Sequence, residues 1–397
     1  MSKLDELIAE LCPDGVEYKL LGDLEKDSIL ELGRGKVISK KTISDNPGKY
    51  PVYSSSAIGE GLMGKYNQYM FDEVLLSWSI DGGGRFFYRN KHKFSLTNVS
   101  GWLRVLRKDV LNIRYLYYVM DSLWLGKTYD YVNKAHPSVI KNDYLIPLPP
   151  LPVQQEIVRI LDNFTELTAE LTAELTAELT ARRKQYEYYR DLLLTFGDEV
   201  EWKTLGEIGK LIRGSGLLKS DFVEEGFPCI HYGQIHTYYG TSATETISFV
   251  SVDKSKKLKK AKKGDVLIAG VSENVEDVCK PLAWLGGDIC ISGDMFAFRH
   301  NQNTKYITYL LQTTDFSRYK EKFAHGAKVT RLRQDKLLAY KIPVPPLEEQ
   351  ERIVAILDRF DALCNDLTSG IPAEIEARQK QYEYYRDKLL SFKEVTA

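Results

Sequence analysis

Cysteine is scarce in this sequence and shows no pattern of a disulfide or metal framework. The chain of 397 residues has five cysteines, an odd number, and none stands in a Cys-x-x-Cys pair. Its six histidines and its carboxylates also lack metal-ligand spacing. This composition argues against a structural zinc site and favours a reducing compartment, so we expect a cytoplasmic protein.

Long apolar runs and the common nucleotide-binding motifs are also missing. No run approaches the ~18 apolar residues of a membrane span, and the acidic N-terminal stretch lacks the core of a secretion signal. We therefore expect no membrane partner. GxxxxGK[ST], NPPY-like and DPPF-like motifs are absent, as is the glycine-rich loop of a methyl-donor site, which predicts neither a motor nor a methyltransferase. The net charge of −1 argues against nonspecific coating of nucleic acid but permits a specific reader.

Internal repetition is abundant. The block Ile146–Phe164 (IPLPPLPVQQEIVRILDNF) is matched by Ile342–Phe360 (IPVPPLEEQERIVAILDRF). Further on, Lys184–Asp191 (KQYEYYRD) recurs unchanged as Lys380–Asp387. Both pairs are separated by 196 positions, so the segments inside the two copies have equal length. The chain is therefore a duplication.

A shorter motif precedes each copy. Glu17–Leu24 (EYKLLGDL) resembles Glu201–Ile208 (EWKTLGEI), whereas the stretches between the motif and the block hardly match. Each variable stretch has the ~120–140 residues of a small domain. Because the second block has no such motif after it, we expect the N-terminal copy to fold back beside the C-terminal helix and close a pseudo-two-fold ring.

The stretch Thr165–Ala181 contains three perfect head-to-tail copies of Thr-Ala-Glu-Leu. Its leucines recur every fourth residue, which predicts one helix from ~153 to ~196, roughly 65 Å long. A helix of this length needs a long partner, and Glu348–Phe392 supplies one, with a kink or break expected at Gly370 and Pro372. The repeat is either a solvated face produced by slippage or a spacer whose length matters; the shared 196-residue register favours the spacer.

Short aromatic-rich segments divided by glycine and asparagine predict strands in both variable stretches. Those segments are YPVYSSS, EVLLSWSI, GRFFYRN and WLRVLR in the first stretch, and FPCIHY, GDVLIA and MFAFR in the second. The predicted fold class is α+β: two domains with curved β-sheets, joined by two long antiparallel, coiled-coil-like helices in a circularly permuted, pseudo-two-fold arrangement. The expected segments are 1–25 near the C-terminal helix, 26–150 (domain 1), 151–198 (TAEL spacer), 199–345 (domain 2) and 346–397 (distal spacer).

The duplicated IPxPPxxxQxxIVxxLD block, with TAEL and KQYEYYRD, resembles the DNA specificity subunits of type I restriction–modification systems, TAEL-repeat subfamily. The resemblance covers the whole chain. It implies binding of double-stranded DNA at a bipartite target with half-sites of ~3–4 bp and a gap of ~6–7 bp. It also implies two modification subunits and up to two restriction subunits as partners, which bring S-adenosylmethionine, ATP and Mg²⁺; this chain itself is expected to bind no cofactor or metal and to lack catalysis.

Two other classes stay open: a fused methyltransferase–specificity enzyme and a coiled-coil scaffold that binds only protein. Base readout requires polar and basic side chains on exposed loops. The candidate DNA-binding residues are Ser54, Ser55, Ser56, Arg85, Arg89, Lys91, His92, Lys93, His231, Tyr232, Gln234, His236, Lys328, Thr330, Arg331 and Arg333. The candidate partner-binding residues on the spacers are Gln154, Ile157, Tyr186, Tyr189, Arg190, Gln350, Ile353, Tyr382, Tyr385 and Arg386.

Two local patterns have simple interpretations. Gly82–Arg85 (GGGR) predicts a turn, because a phosphate cradle would need a following helix. Lys254–Lys263 has seven lysines in ten residues and fits either phosphate tracking or a solvated flank equally well.

Overall fold

The computed structural model describes residues 2–56, 59–130, 132–324, 326, 329–365 and 370–395. The chain divides into two compact units. Unit 1 comprises Met1–Thr172 together with Ala377–Ala397, and unit 2 comprises Ala173–Glu376. Each unit mixes helices with β-sheet, which confirms the α+β class predicted from the sequence.

Unit 1 is built on a six-stranded sheet with the order β2-β7-β5-β6-β3-β4 and a separate pair, β1 with β8. Its strands are β1 (Glu17–Leu20), β2 (Leu30–Arg34), β3 (Pro47–Tyr53), β4 (Leu62–Tyr66), β5 (Phe71–Ser79), β6 (Phe86–Leu96), β7 (Ser100–Val105) and β8 (Leu145–Leu148). Its shorter helices are α1 (Lys3–Leu11), α2 (Leu21–Lys26), α3 (Lys40–Asp45), α4 (Ile113–Trp124) and α5 (Pro137–Asp143).

The large sheet of unit 1 is strongly curved, as expected. Phe71 at the start of β5 pairs with Phe94 near the end of β6. Only five residues later, the Val99 carbonyl accepts a hydrogen bond at 3.0 Å from the amide of Ile80, just beyond the opposite end of β5. So few residues can connect the two ends of β5 only if the sheet bends. An extra residue in β6, opposite the step from Glu73 to Leu75, adds a bulge that increases the bend. The predicted strands in 50–107 are confirmed, and the turn at residues 80–83 includes Gly82 and Gly83 of the predicted GGGR turn.

The TAEL repeats lie within one helix, α6 (Leu151–Leu193), close to the predicted bounds. Leu171, Leu175 and Leu179 are half-buried on this helix, whereas Glu170 and Glu174 are exposed. The repeat thus produces an apolar stripe on one face, because residues four apart in a helix lie on the same side.

Unit 2 has two five-stranded sheets, β10-β20-β16-β18-β13 and β11-β14-β12-β19-β15, and the pairs β22-β9 and β17-β21. Its strands are β9 (Glu201–Thr204), β10 (Gly209–Arg213), β11 (Phe222–Val223), β12 (Phe227–Ile230), β13 (Ser242–Ala243), β14 (Ser248–Val250), β15 (Lys260–Ala261), β16 (Val266–Ala269), β17 (Val271–Ser272), β18 (Pro281–Trp284), β19 (Ile289–Ile291), β20 (Met295–His300), β21 (Thr330–Arg331) and β22 (Lys341–Val344). Its shorter helices are α7 (Leu205–Ile208), α8 (Tyr232–Thr237), α9 (Val252–Lys257), α10 (Thr304–Leu310), α11 (Thr314–Phe323) and α12 (Gln334–Leu338).

The second spacer is broken as predicted. It consists of α13 (Leu347–Asn365) and α14 (Ile371–Leu390), and Gly370 directly precedes the second helix. In unit 1, α6 packs antiparallel to the later part of α14, with Phe164 against Tyr385 and Leu171 facing Arg378 in one groove. In unit 2, α6 packs against α13, where Tyr189 stacks on Phe360 at 5.7 Å.

The N-terminal segment of unit 1 meets the end of α14. The Val16 amide donates to the Lys393 carbonyl at 2.8 Å, and the Val395 amide donates to the Val16 carbonyl at 3.1 Å. Tyr18 adds a bond from its hydroxyl to the Phe392 carbonyl at 3.0 Å. In unit 2 the corresponding path from α6 to β9 is continuous chain. Hydrogen bonds in unit 1 therefore replace a covalent connection.

Candidate nucleic-acid interface

In unit 1 three polar segments meet at one edge of the large sheet: Ser54–Ser56 after β3, Asp81–Arg85 after β5, and the turn at Thr97–Asn98. The Thr97 hydroxyl donates to Ser54 Oγ at 3.0 Å. Ser55 Oγ is hydrogen-bonded to Ser79 Oγ and accepts the Asp81 amide at 3.1 Å. We define these segments as loop cluster 1.

The serines of loop cluster 1 are half-buried, and the hydroxyls of Ser54 and Ser55 are engaged within the cluster. They hold the loops together. To contact a base, either hydroxyl would have to make a further hydrogen bond while keeping those within the cluster, or give one of them up. Arg85 is exposed on the neighbouring loop, with its guanidinium 5.5 Å from the Phe87 ring centre.

Arg89 requires a correction to the sequence-based prediction of DNA contact. It is only 5% exposed, and its guanidinium lies 3.7 Å from the centre of the Tyr53 ring. Its Nε donates to Ser77 Oγ at 2.9 Å and its Nη2 to the Glu60 carbonyl at 2.7 Å. Burial lowers the pKa of this guanidinium. Arg89 therefore supports the loop after Ser56 from below and offers no free surface.

The other candidates on β6 are more accessible. Lys91 and Lys93 are exposed, and Lys93 Nζ lies 4.7 Å from the Tyr69 ring centre. His92 Nε2 is 3.2 Å from the Tyr53 hydroxyl, directly before Ser54. His92 thus contributes to the base of loop cluster 1.

Unit 2 has an equivalent group of segments, which we define as loop cluster 2: α8 after β12, residues 271–280 after β16, and the turn at Ser292–Gly293. The Tyr232 amide donates to Ser292 Oγ at 2.9 Å. His236 Nε2 lies 3.3 Å from the Val271 carbonyl, which joins α8 to the next segment. The same strand ends therefore carry both clusters.

The candidates in loop cluster 2 hold the short helix α8 in place. His231 caps it by accepting the Gly233 amide on Nδ1 at 3.2 Å, and burial lowers the His231 pKa. Gln234 accepts the His231 amide at 2.8 Å and donates to Ser248 Oγ at 2.7 Å. All four candidates, His231, Tyr232, Gln234 and His236, are half-buried, so each keeps some accessible surface.

A fourth segment joins loop cluster 2 through the pairing of β17 with β21. Thr330 is buried against Ser272, so it supports the segment and has no surface for DNA, which corrects the prediction for this residue. Arg331 and Arg333 are exposed, and Arg333 is paired with Asp335 at 3.0 Å. Lys328 lies outside the described residues.

The lysine-rich stretch forms the end of α9 and the short strand β15. Lys254 pairs with Asp221 at 3.1 Å, and Lys260 Nζ lies 4.1 Å from the Phe227 ring centre. These two cations are engaged within unit 2, and the two interpretations of the stretch stay open.

Four predicted partner-binding residues are buried within the units. Gln154 in unit 1 accepts the Asn112 amide at 2.8 Å and donates to the carbonyls of Val110 and Pro149 at 2.9 and 2.8 Å. Gln350 in unit 2 likewise accepts the Asn303 amide and donates to the Pro345 carbonyl, but its other bond goes to Oε1 of the Gln302 side chain. Ile157 and Ile353 are at most 1% exposed. These side chains fasten each spacer helix to its own domain, which corrects the expectation that they contact a partner.

The remaining spacer residues divide by exposure. Arg190, Arg386 and Tyr186 are buried, and both arginines bond the aspartate that follows them. This burial likewise corrects the prediction for these three. Tyr382 is half-buried, whereas Tyr189 and Tyr385 are about two-fifths exposed and form matched pairs with Phe360 and Phe164. The accessible candidates for a partner are therefore the tyrosines of the aromatic pairs.

Sequence reasoning missed a second duplicated constellation. Tyr118 in α4 donates to Asp162 at 2.5 Å, and Arg114 pairs with the same carboxylate at 2.8 Å. In unit 2, Tyr309 and Lys305 contact Asp358 at 2.7 and 2.8 Å. The signal was the weak match of NIRYLYY (112–118) to NTKYITY (303–309), an Asn-x-basic-Tyr-x-x-Tyr pattern.

Among the helices that the structure describes, none is both long and apolar enough to span a bilayer. A family model described as the type I restriction modification DNA specificity domain matches residues 13–181 and again 197–377.

Individual relatives agree with this match. A Haemophilus influenzae chain assigned as a type I restriction enzyme specificity subunit is 33% identical, over 95% of this chain and 96% of its own. The Escherichia coli EcoR124I/EcoR124II specificity subunit is 39% identical over 70% of this chain and 71% of its own. A solved chain from a study of complex assembly in the type I R-M system matches with a TM-score of 0.65 and 17% identity. The match covers 96% of the present chain and 98% of the solved chain. At that identity the likeness concerns the fold alone.

Proposed function

Because the chain belongs to the family of type I restriction–modification specificity subunits, we propose that it recognises a bipartite DNA target and directs its partners to it. The observation that carries this proposal is the pair of loop clusters. Two clusters stand on equivalent strand ends, yet Ser54–Ser56 and α8 present different chemistry. A molecule that reads two unlike half-sites needs this combination of a common scaffold and divergent loops.

Each unit reads one half-site of ~3–4 bp from the major groove, and the two centres are about one DNA turn apart. In unit 1 the exposed Arg85, Lys91 and Lys93 are the candidates for DNA contact. In unit 2 Arg331, Arg333 and the accessible edges of α8 have this role. Arginine suits guanine, whose O6 and N7 accept its two parallel donors.

The helix α6 sets the gap between half-sites. Each TAEL unit adds four residues, or ~6 Å of helix, against ~3.4 Å for a base pair. Part of each increment therefore goes into tilt or twist. A gap of ~6–7 bp is what remains between two half-sites whose centres lie one turn apart.

Catalysis is assigned to partners. Two modification subunits methylate adenine with S-adenosylmethionine after flipping the base out of the duplex, and up to two restriction subunits supply ATP- and Mg²⁺-dependent restriction. The duplicated aromatic pairs, Phe164 with Tyr385 and Phe360 with Tyr189, give one chain two similar docking faces.

The test exchanges residues 30–145 for the corresponding domain of another family member and maps N6-methyladenine genome-wide in cells with the modification subunits. We expect one half of the methylated target to change and the other half and the gap to stay. A change in both halves would show that readout is shared and would contradict the proposal.

Two control measurements separate the other functional classes. Methylation by the purified chain without partner subunits would support a fused methyltransferase. A partner complex without sequence-specific DNA binding would support a protein-only scaffold.

A further inference from the structure

Two arginines occupy the same place in the two units. Arg34 ends β2 and pairs across the sheet with Gly101 at the start of β7. Arg213 ends β10 and pairs with Phe296 at the start of β20. Both side chains are exposed, and neither residue belongs to a conspicuous sequence motif.

A glycine follows each arginine for a steric reason. A Cβ on Gly35 would collide with the Leu96 and Thr97 carbonyl oxygens, and a Cβ on Gly214 would collide with those of Ile291 and Ser292. The chain therefore passes flush against the end of the neighbouring strand. This close approach fixes the direction in which the preceding arginine leaves the sheet.

Each guanidinium is fastened to the rim of its loop cluster. Arg34 donates from Nε and Nη2 to the Asn98 carbonyl at 3.0 and 2.6 Å. Arg213 donates from Nε to the Gly293 carbonyl at 3.1 Å. Asn98 and Gly293 directly follow Thr97 and Ser292, the residues that hold Ser54 and Tyr232 in their clusters.

The charge of these arginines is not neutralised within the described part of the chain. Among its ion pairs, none within 4.0 Å involves Arg34 or Arg213. By contrast, Arg104 on β7 pairs with Glu31 at 2.7 Å, and Arg299 on β20 pairs with Asp265 at 2.7 Å. A fixed, uncompensated guanidinium beside each reading surface is suited to an anion.

We propose that Arg34 and Arg213 each bind a phosphate of the DNA backbone, one beside each half-site. This rests on the proposed function. The loops of the two clusters differ, as expected for segments that contact different bases, whereas Arg34 and Arg213 occupy equivalent positions in the two units. Identity of placement is expected for a phosphate contact, because every sequence presents the same backbone. The pair sets how each loop cluster sits on the duplex and carries no base preference of its own.

The experiment uses the chain assembled with its modification subunits, and two DNA duplexes: one with the target found by methylation mapping and one without it. Dissociation constants are measured over a series of salt concentrations for Arg34→Ala, Arg213→Ala and the double variant. Each single change should reduce the slope of log K against log salt by about 0.9, and the double change by about 1.8. Affinity for both duplexes should fall by the same factor, so their ratio stays constant.

Three further variants sharpen the result. Arg34→Lys and Arg213→Lys keep the charge and should retain the wild-type slope. Arg107→Ala removes an exposed arginine that is paired with Asp109 beyond the opposite end of β7, and it should leave the slope unchanged.

An unchanged slope in both alanine variants overturns the proposal, as does a changed base preference at either half-site. If the wild-type complex does not distinguish the two duplexes, the proposed function fails. If it does distinguish them and the slope is insensitive to both arginines, only the phosphate assignment fails.

Discussion

In unit 1 the strand β3 runs into three serines, whereas in unit 2 the equivalent strand β12 runs into the helix α8. Below this difference the two units make the same contacts. Gln154 and Gln350 bond the amides of Asn112 and Asn303, and the hydroxyls of Tyr115 and Tyr306 both reach a proline carbonyl at 3.1 Å. The β1–β8 and β9–β22 pairs also share one register.

The comparison separates two kinds of position. Residues that join the domain to its spacer helix are held to one geometry, because removing their side chains would leave buried hydrogen-bond partners unsatisfied. Residues at the strand ends vary, because there the chain needs only to close a loop and present polar groups. Four predictions test this separation; the exchange of residues 30–145 described above is one of them, and three follow in order of expected effect.

The largest effect is expected from deletions in α6. Removing Thr172–Leu175 deletes ~6 Å and turns the following helix by ~400°, only ~40° beyond a full turn. The leucine stripe is preserved, so we expect an active complex with both half-sites unchanged and a gap shorter by one base pair. Removing only Thr172 and Ala173 turns the helix by ~200° and brings exposed glutamates to the apolar side, which should abolish assembly or activity.

Methylome sequencing of cells that carry each deletion distinguishes these outcomes. If the four-residue deletion leaves the gap unchanged, the repeat is a solvated face. If the two-residue deletion is tolerated, the stripe is not a packing surface, and the two units do not depend on helical register.

A smaller effect is expected from the buried glutamines. Gln154→Leu leaves one amide and two carbonyls without a partner, which should cost about 3 kcal/mol. Gln350→Leu should cost a similar amount in unit 2. Hydrogen exchange should show lost protection in α4 for the first variant and in α10 for the second. The exposed neighbour provides the control: Gln155→Leu should change stability by no more than about 0.5 kcal/mol. If either variant lost protection equally in α4 and α10, the two units would not be stabilised independently, which would contradict the prediction.

The smallest effect concerns pH and separates the units again. His300 ends β20, stacks on Phe298 at 5.2 Å and accepts the Gln302 amide at 3.1 Å. Burial lowers its pKa from 6.5 to about 4. Between pH 6.5 and pH 4 the unfolded chain binds a proton at His300 that the folded unit does not bind. The free energy of unfolding is therefore undiminished by His300 above pH 6.5, and it decreases as the pH falls towards 4.

The equivalent strand of unit 1, β7, ends in Val105, which does not titrate. Between pH 7 and pH 5, the free energy of unfolding of unit 2 should fall by about 2 kcal/mol because of His300, and the His300→Val variant should not show this decrease. Urea unfolding of wild type and variant at both pH values, with hydrogen exchange to assign the unit, measures this difference. The same pH sensitivity in the variant would show that other groups are responsible.

Periodicity and repetition predicted much of the fold. The strands of both domains, the single helix through TAEL and the break at Gly370 depend on local signals: alternation, leucines every fourth residue, and a residue that interrupts a helix. The parts that failed depend on long-range contacts. Arg89 was expected on the surface, but the bulge in β6 changes which side chains face inward, and no pattern in β6 alone reveals a bulge.

For the candidate site, the sequence indicated where the residues lie in the fold better than it indicated what their side chains do. Ser54–Ser56, His231 and Tyr232 do lie at equivalent strand ends, because polar runs after apolar strands indicate loops. Gln154 and Gln350 were assigned to a partner because repetition does not distinguish a residue kept for docking from one kept for internal packing. Arg34 and Arg213 were not among the sequence candidates, because a lone Arg-Gly pair is common and their equivalence appears only once the strands are aligned in space.

The hydrogen bonds that Val16 makes with Lys393 and Val395 have a consequence for the timing of synthesis. Unit 1 is interrupted in the chain by all 204 residues of unit 2, Ala173–Glu376. At 5–20 residues per second a ribosome needs roughly 10–40 s to pass this insertion. During that interval α6 and the N-terminal segment lack the helix that covers them, and the first domain to emerge is the last to be completed.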